Sequence, residues 1–102
     1  MSVDLQKVRR ENMRWQVMLV LNAARPVGAF EEIILSVLQS LYPDATAHEL
    51  RLHLDYLEER LIIKLERQPG GRWFADLTRL GVDITEYTVD CQPGIARPAK
   101  YW

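Results

Sequence analysis

Residues 46–77 read TAHELRLHLDYLEERLIIKLERQPGGRWFADL, and this stretch decides the fold class. It opens with a capping box, in which a threonine at position 46 is followed three residues later by Glu49. Apolar side chains then recur at helical spacing on one narrow stripe: Leu50, Leu54, Leu57 and Leu61. This pattern predicts a helix that starts after Thr46 and ends near Arg60 or Leu61.

A β-hairpin is predicted directly after this helix. Residues 62–67, IIKLER, are rich in strand-forming side chains and alternate in part. Residues 68–71, QPGG, have the composition of a turn, and residues 72–77, RWFADL, predict the second strand. Thr78 can then cap a short helix that runs through about Tyr87.

Two further helices are predicted before the quoted stretch. Residues 5–24 contain no Gly or Pro, and Arg25-Pro26 ends the run. Residues 30–41 place apolar side chains at the i, i+3, i+4 and i+7 positions of a second helix. From residue 88 the chain has two prolines, a glycine and no periodicity. We therefore expect a domain of residues 1–87 followed by an extended tail of residues 88–102.

Composition excludes several classes of protein. A chain of 102 residues with 48% hydrophobic and 26% charged residues has the make-up of one globular domain, which excludes a disordered chain. The net charge of −1 excludes a strongly cationic nucleic-acid coat but leaves room for a local basic patch. The single cysteine, Cys91, cannot close an intrachain disulfide. Without an apolar signal core or a stretch of about 20 apolar residues, the sequence predicts a cytoplasmic protein with no membrane partner.

The residues that could support catalysis or metal binding are sparse. His48 and His53 lie five apart on the third helix and so point to different faces. Neither they nor Cys91 show metal-ligand spacing, and Gly70-Gly71 lacks the frame of a phosphate-binding loop. We expect no enzymatic activity, no metal and no cofactor, with Cys91 a plain thiol of the tail.

Residues 53–84, HLDYLEERLIIKLERQPGGRWFADLTRLGVDI, resemble the recognition-helix-to-wing region of winged helix-turn-helix regulators of the ArsR-like and PadR-like groups. The matching residues are Leu54, Leu57, Leu61, Ile62, Trp73, Leu77, Thr78 and Gly81, with Arg60 where a tight-turn glycine often occurs. Residues 81–98, GVDITEYTVDCQPGIARP, are also similar in wording to short proteins of Mu-like prophages.

The resemblance implies a mainly α, α+β fold: a winged helix-turn-helix with a three-helix core, a two-stranded wing, a short following helix and the tail. It also implies a DNA-binding transcriptional regulator of bacterial or prophage origin, with double-stranded DNA as its partner. The third helix would lie in the major groove and the basic wing on the backbone. The candidate DNA contacts are His48, Arg51 and Asp55 on the helix, and Lys64, Arg67 and Arg72 on the wing.

The distribution of charge leaves an alternative open. Residues 44–61 carry a net charge of −3, whereas residues 62–79 carry +2. Because phosphate contacts need Lys or Arg, an acidic third helix is a poor DNA surface. Arg51 and Asp55, spaced i, i+4, can instead pair on the helix surface, and the wing cations can be a solvated strand edge. The alternative function is a protein–protein interaction module, such as a phage adaptor, that reuses the winged-helix fold.

We also expect a homodimer formed through the first helix and the tail. The candidate interface residues are Leu5, Val8, Trp15, Tyr101 and Trp102. Trp15 also falls on a core stripe, for which packing is the alternative. A two-fold dimer would present two third helices about 34 Å apart, one turn of DNA.

Overall fold

The computed structural model describes residues 2–100 and has a mixed α+β architecture. Its elements in chain order are α1 (Leu5–Ala23), β1 (Ala29–Phe30), α2 (Glu31–Leu41), α3 (Ala47–Glu59), β2 (Ile63–Arg67), β3 (Trp73–Leu77) and α4 (Arg79–Thr85). The predicted helices and both predicted strands are confirmed, with ends that differ by one or two residues. Within residues 2–100, every helix is too short or too polar to cross a membrane.

The sheet has three antiparallel strands in the order β1-β3-β2, so the expected two-stranded hairpin is wrong in strand number. The added strand is only two residues long and pairs Ala29 with Ala75 and Phe30 with Phe74. Gly28 leads into it at a φ of 88°, and a Cβ there would collide with the Phe74 ring and the Ala75 carbonyl. A strand of two residues is too short to show a periodicity in the sequence. Its partner strand is also more than 40 residues away, so no local signal predicts the pairing.

Helix α3 begins as predicted, with the Thr46 hydroxyl accepting a hydrogen bond from the Glu49 amide at 3.1 Å. Its end differs from the expectation. The amide of Ile62 donates to the Leu57 carbonyl at 3.0 Å, which closes a Schellman turn, and Leu61 takes a φ of 63°. Leu61 is therefore 72% exposed and leaves the apolar stripe. The left-handed position falls on Leu61 and not on Arg60.

The core lies where α1 crosses the other helices and the sheet. Its fully buried side chains include Met13, Met18, Leu21, Ile34, Leu38, Leu50, Leu54, Leu57, Ile62 and Ile84. Trp15 is only 4% exposed and packs edge-on against Tyr87, with ring centroids 6.4 Å apart. The assignment of Trp15 to a dimer interface is therefore wrong, because its indole is buried in the core of its own chain.

Residues 88–100 form neither helix nor strand, yet they pack against the helices. Ile95 is buried, and the Ala96 amide donates to the Glu11 carbonyl in α1 at 3.1 Å. Arg97 Nη1 donates to the Ile84 carbonyl in α4 at 3.0 Å. The segment thus covers one side of the α1–α4 contact.

Glu31, the first residue of α2, fastens three elements together. Its carboxylate accepts from Arg51 Nε and Nη2 at 2.7 Å each, and from the Trp73 amide at 2.7 Å. Glu31 is 7% exposed, and the Arg51 hydrogen bonds hold the pKa of its carboxyl below the usual range despite burial. The neighbouring Glu32 carboxylate is half exposed and pairs with Arg72 Nη2 at 2.6 Å.

Glu31→Gln should lower the free energy of unfolding by about 2–3 kcal/mol, because it removes the charge of a buried carboxylate and leaves Arg51 and the Trp73 amide poorly matched. The matched control is Glu32→Gln, which should cost less than about 1 kcal/mol because its pair is exposed. Urea denaturation at pH 7 measures both. Equal losses in the two variants would show that Glu31 has no special structural role.

Candidate functional site

The predicted DNA surface is one continuous face made by α3 and the β2–β3 hairpin, and Arg51 lies at its centre. Besides its two bonds to Glu31, Arg51 Nη2 donates to the Gly71 carbonyl at 2.7 Å. Its guanidinium lies over the Trp73 ring, 4.6 Å from the centroid. The alternative considered for Arg51, a pair with Asp55, is wrong, because Arg51 pairs with Glu31 of α2 and Asp55 pairs with Arg67.

Arg67 pairs with the carboxylates that make α3 acidic. Its Nη2 contacts Asp55 Oδ1 at 2.6 Å and Glu58 Oε1 at 3.0 Å. The hydrogen bonds that Arg67 donates to Glu58, and then to Asp55, raise the pKa of Arg67. The guanidinium also lies 4.5 Å from the centroid of the Trp73 ring. The sequence places Asp55 and Arg67 in the same candidate site, and the structure joins them as an ion pair.

Arg72 is also occupied within the chain. It pairs with Glu32 across the β1 edge, and its guanidinium lies 3.7 Å from the centre of the Phe30 ring. Hydrogen bonding to Glu32 raises the pKa of Arg72. Four cationic side chains were predicted to contact DNA. Three of them, Arg51, Arg67 and Arg72, pair with carboxylates of the same chain.

The other two candidates, His48 and Lys64, are exposed. Lys64 lies opposite Asp76 in the β2–β3 register. Within residues 2–100, neither side chain forms a hydrogen bond or an ion pair. The structure therefore leaves the side chains of His48 and Lys64 exposed, whereas the three arginines of this face are paired with carboxylates.

The candidate dimer residues have three different outcomes. Leu5 and Val8 are 73% and 52% exposed on the first half of α1, so they are available for a contact. Trp15 is in the core, as described above. Tyr101 and Trp102 lie outside the described residues.

An apolar groove between α1 and α2 is a site that the sequence reasoning missed. It measures about 460 Å³ and is lined by Gln16, Leu19, Val20, Ala23, Ala24, Ile33 and Val37. Ile33 projects into solvent at 59% exposure, and Leu19 and Val37 flank it at 37% and 39%. The helical periodicity placed Ile33 and Val37 on the core stripe, but α2 has only one narrow buried face, formed by Ile34 and Leu38.

His53 is the second feature that the sequence reasoning did not use. It is 3% exposed, and neither ring nitrogen has a hydrogen-bond partner within the described chain. Burial, together with the charge of Arg14, lowers its pKa to about 4, so the ring is neutral at pH 7. The signal was present: position 53 follows Leu50 by three residues and precedes Leu57 by four, which places it on the buried stripe.

Thiol reactivity and metal binding are the chemistry that Cys91 and the acidic residues could supply. Burial raises the pKa of the Cys91 thiol, which disfavours the reactive thiolate. Across residues 2–100, no three His, Cys, Asp or Glu side chains come close enough together to hold a metal ion.

The burial of His53 makes stability depend on pH. A depressed folded-state pKa means that only the unfolded chain takes up the proton between about pH 6.5 and 4, so stability is full above that window and falls on acidification. Between pH 7 and 5, His53 should contribute a loss of about 2 kcal/mol. Urea denaturation at the two pH values checks this.

His53→Leu should abolish that loss, and His48→Gln, which removes an exposed histidine, should retain it. A wild-type unfolding free energy that is equal at pH 7 and pH 5 would contradict the assignment.

Comparison of the chain with protein-family models, with curated proteins and with solved structures finds no match. The function assigned to it therefore rests on its own residues and their geometry.

Proposed function

We propose that the fold is a winged helix. The support is the element order: α2 and α3 are joined by a short connection, and α3 leads directly into the antiparallel β2–β3 hairpin. The Schellman turn at Leu61 reverses the chain without a linker. The strand β1 fits the same arrangement, because it lies between α1 and α2 and adds an edge to the hairpin.

The function we infer for this domain is protein–protein association, with the α3–wing face not used for duplex DNA. One observation carries this inference: Arg51, Arg67 and Arg72 each hold a carboxylate of the same chain. Opening the exposed pairs of Arg67 and Arg72 costs only about 0–1 kcal/mol each, so these two pairs are no barrier, whereas Arg51 is held by the buried carboxylate of Glu31. The freed carboxylates of Glu32, Asp55 and Glu58 would, however, then face the phosphates. Electrostatic attraction would be lost, and it supplies most non-specific DNA affinity.

The contact surface is the α1–α2 groove, and we propose a second copy of the chain as its partner. In a two-fold contact each residue meets its own counterpart near the axis, so a charged lining would repel itself. The lining here contains one polar residue, Gln16, and no ionised side chain. Ile33, the most exposed apolar residue of the lining, would enter the partner's groove and leave water.

DNA binding remains the second candidate function, and the same element order favours it. In the standard docking of this fold, α3 enters the major groove and the hairpin contacts the backbone. His48 near the start of α3 and Lys64 on β2 are exposed and free to contact a duplex. A dimer formed through α1 and α2 would serve either function.

A fluorescence-anisotropy titration against a mixed-sequence duplex separates the two functions. We expect a Kd weaker than about 100 µM even at about 50 mM salt, because the internal carboxylates cancel the wing arginines. The double variant Asp55→Asn, Glu58→Gln should gain salt-sensitive binding, since it frees Arg67 and removes two negative charges.

Tight wild-type binding that weakens steeply between about 50 and 200 mM salt, with a slope that Arg67→Ala reduces by about one, would overturn the association proposal in favour of DNA binding.

Sedimentation velocity over a wide concentration range tests the groove. The wild type should shift from monomer to dimer as concentration rises, because association follows mass action. Ile33→Glu should remain monomeric, since it places two carboxylates at the axis. Leu61→Glu is the matched control: it changes an exposed leucine outside the groove, 72% exposed against 59% for Ile33, and should still dimerise. A wild type that stays monomeric, or equal effects of both variants, would refute the proposed surface.

A further inference from the structure

A second concave site lies between α1 and α3, on the side of α3 away from the wing arginines. Its volume is about 340 Å³, at the lower end of the range for small-molecule sites. Helix α1 contributes Gln6, Arg10 and Arg14, and helix α3 contributes Glu49, Leu52, His53 and Tyr56. Polar and apolar side chains thus line the same pocket.

Two polar groups in the wall of this pocket lack protein partners. The ring nitrogens of His53 are buried without a hydrogen bond, and so is Nε of Arg14. Buried polar groups in folded proteins are nearly always satisfied, so each of these calls for a partner. Their convergence on one pocket distinguishes the site from an ordinary surface depression.

The pocket also concentrates positive charge. The Cζ atoms of Arg14 and Arg60 each lie 3.5 Å from the Tyr56 ring centroid. Two guanidiniums cannot share one face of a ring at that distance, so they sandwich it. The pKa of Arg14 is lowered, first by burial and then by charges that include Arg10 and Arg60.

Within residues 2–100, neither Arg10 nor Arg14 forms an ion pair with a carboxylate. Glu49, the one acidic residue of the lining, is bound by Arg9 through two hydrogen bonds of 2.9 Å. Arg10 is exposed, and its side chain forms no ion pair or hydrogen bond with residues 2–100. A ligand could therefore take both Arg10 and Arg14 without breaking an ion pair.

We propose that this pocket binds a small organic oxyanion, a carboxylate or a phosphate monoester with a short apolar body. The oxyanion would lie between Arg10, whose exposed guanidinium can bind either headgroup with paired hydrogen bonds, and the charge of Arg14, whose Nη1 already donates to the Gly94 carbonyl at 2.9 Å. The neutral His53 ring lies in the wall beside it, so its NMR signals would respond to the bound charge. Leu52, 55% exposed at the rim, would contact the apolar part.

A small molecule fits this site better than a nucleic-acid backbone does. The pocket is a recess of about 340 Å³ between two helices, a size suited to a small molecule, and a duplex backbone would contact only its rim. The site is also independent of the proposed association, because it shares no residue with the α1–α2 groove.

Titration of the full-length protein with benzoate and with phenyl phosphate, followed by the histidine ring signals in NMR spectra and by calorimetry, tests the proposal. At least one of the two should bind saturably with a Kd below about 1 mM and shift the His53 signals. The stronger of the two probes identifies the headgroup. Benzamide, which has the shape of benzoate without its charge, should bind at least about tenfold more weakly.

Arg10→Gln should weaken binding of the better probe by about tenfold or more, and the variant should fold as the wild type does because the side chain is exposed. Lys64→Gln removes the same charge from β2 and should leave the affinity unchanged. The proposal is overturned if neither anion binds, if benzamide binds as well as benzoate, or if the two variants weaken binding equally.

Discussion

The buried carboxylate of Glu31 is the interaction on which the rest of the structure depends. It joins α2 to α3 through Arg51 and α2 to the hairpin through the Trp73 amide. Trp73 in turn lies beneath the guanidiniums of both Arg51 and Arg67, at 4.6 and 4.5 Å. One charge at the start of α2 therefore positions the cations of two other elements. Because that position is at a helix N-terminus, the helix dipole also favours the ionised form.

The arginines of this chain have two distinct environments. Those of the hairpin face are compensated by carboxylates, which makes that face suited to contact with a neutral or mixed surface. Arg10 and Arg14 on α1 are not compensated in this way, and they border a recess with a neutral histidine in its wall. Net charge over α3 and the hairpin could not distinguish these environments, because it counts charges without saying which ones meet.

Local signals predicted the helices and the hairpin well. The caps at Thr46 and Thr78 both accept the expected amide hydrogen bond, from Glu49 and Gly81. What the sequence could not supply are contacts between distant residues. The pairing of Arg51 with Glu31 spans 20 positions and that of Arg72 with Glu32 spans 40.

The short strand β1 depends in the same way on a distant partner. His53 is different: its spacing from Leu50 and Leu57 already places it on the buried stripe of α3, so its burial is predictable from the sequence.

The packing of residues 93–97 against α1 has a consequence for the order of folding. Arg14 Nη1 donates to the Gly94 carbonyl across 80 positions of sequence, and Gly94 approaches the Tyr56 ring so closely that no side chain fits there. Contacts of such wide separation form late, because loop closure must be completed first. The hairpin and α3 can assemble from neighbouring residues, whereas the outer side of α1 stays uncovered until this segment arrives. Nascent chains that lack the segment would thus expose part of the core to chaperones and to one another.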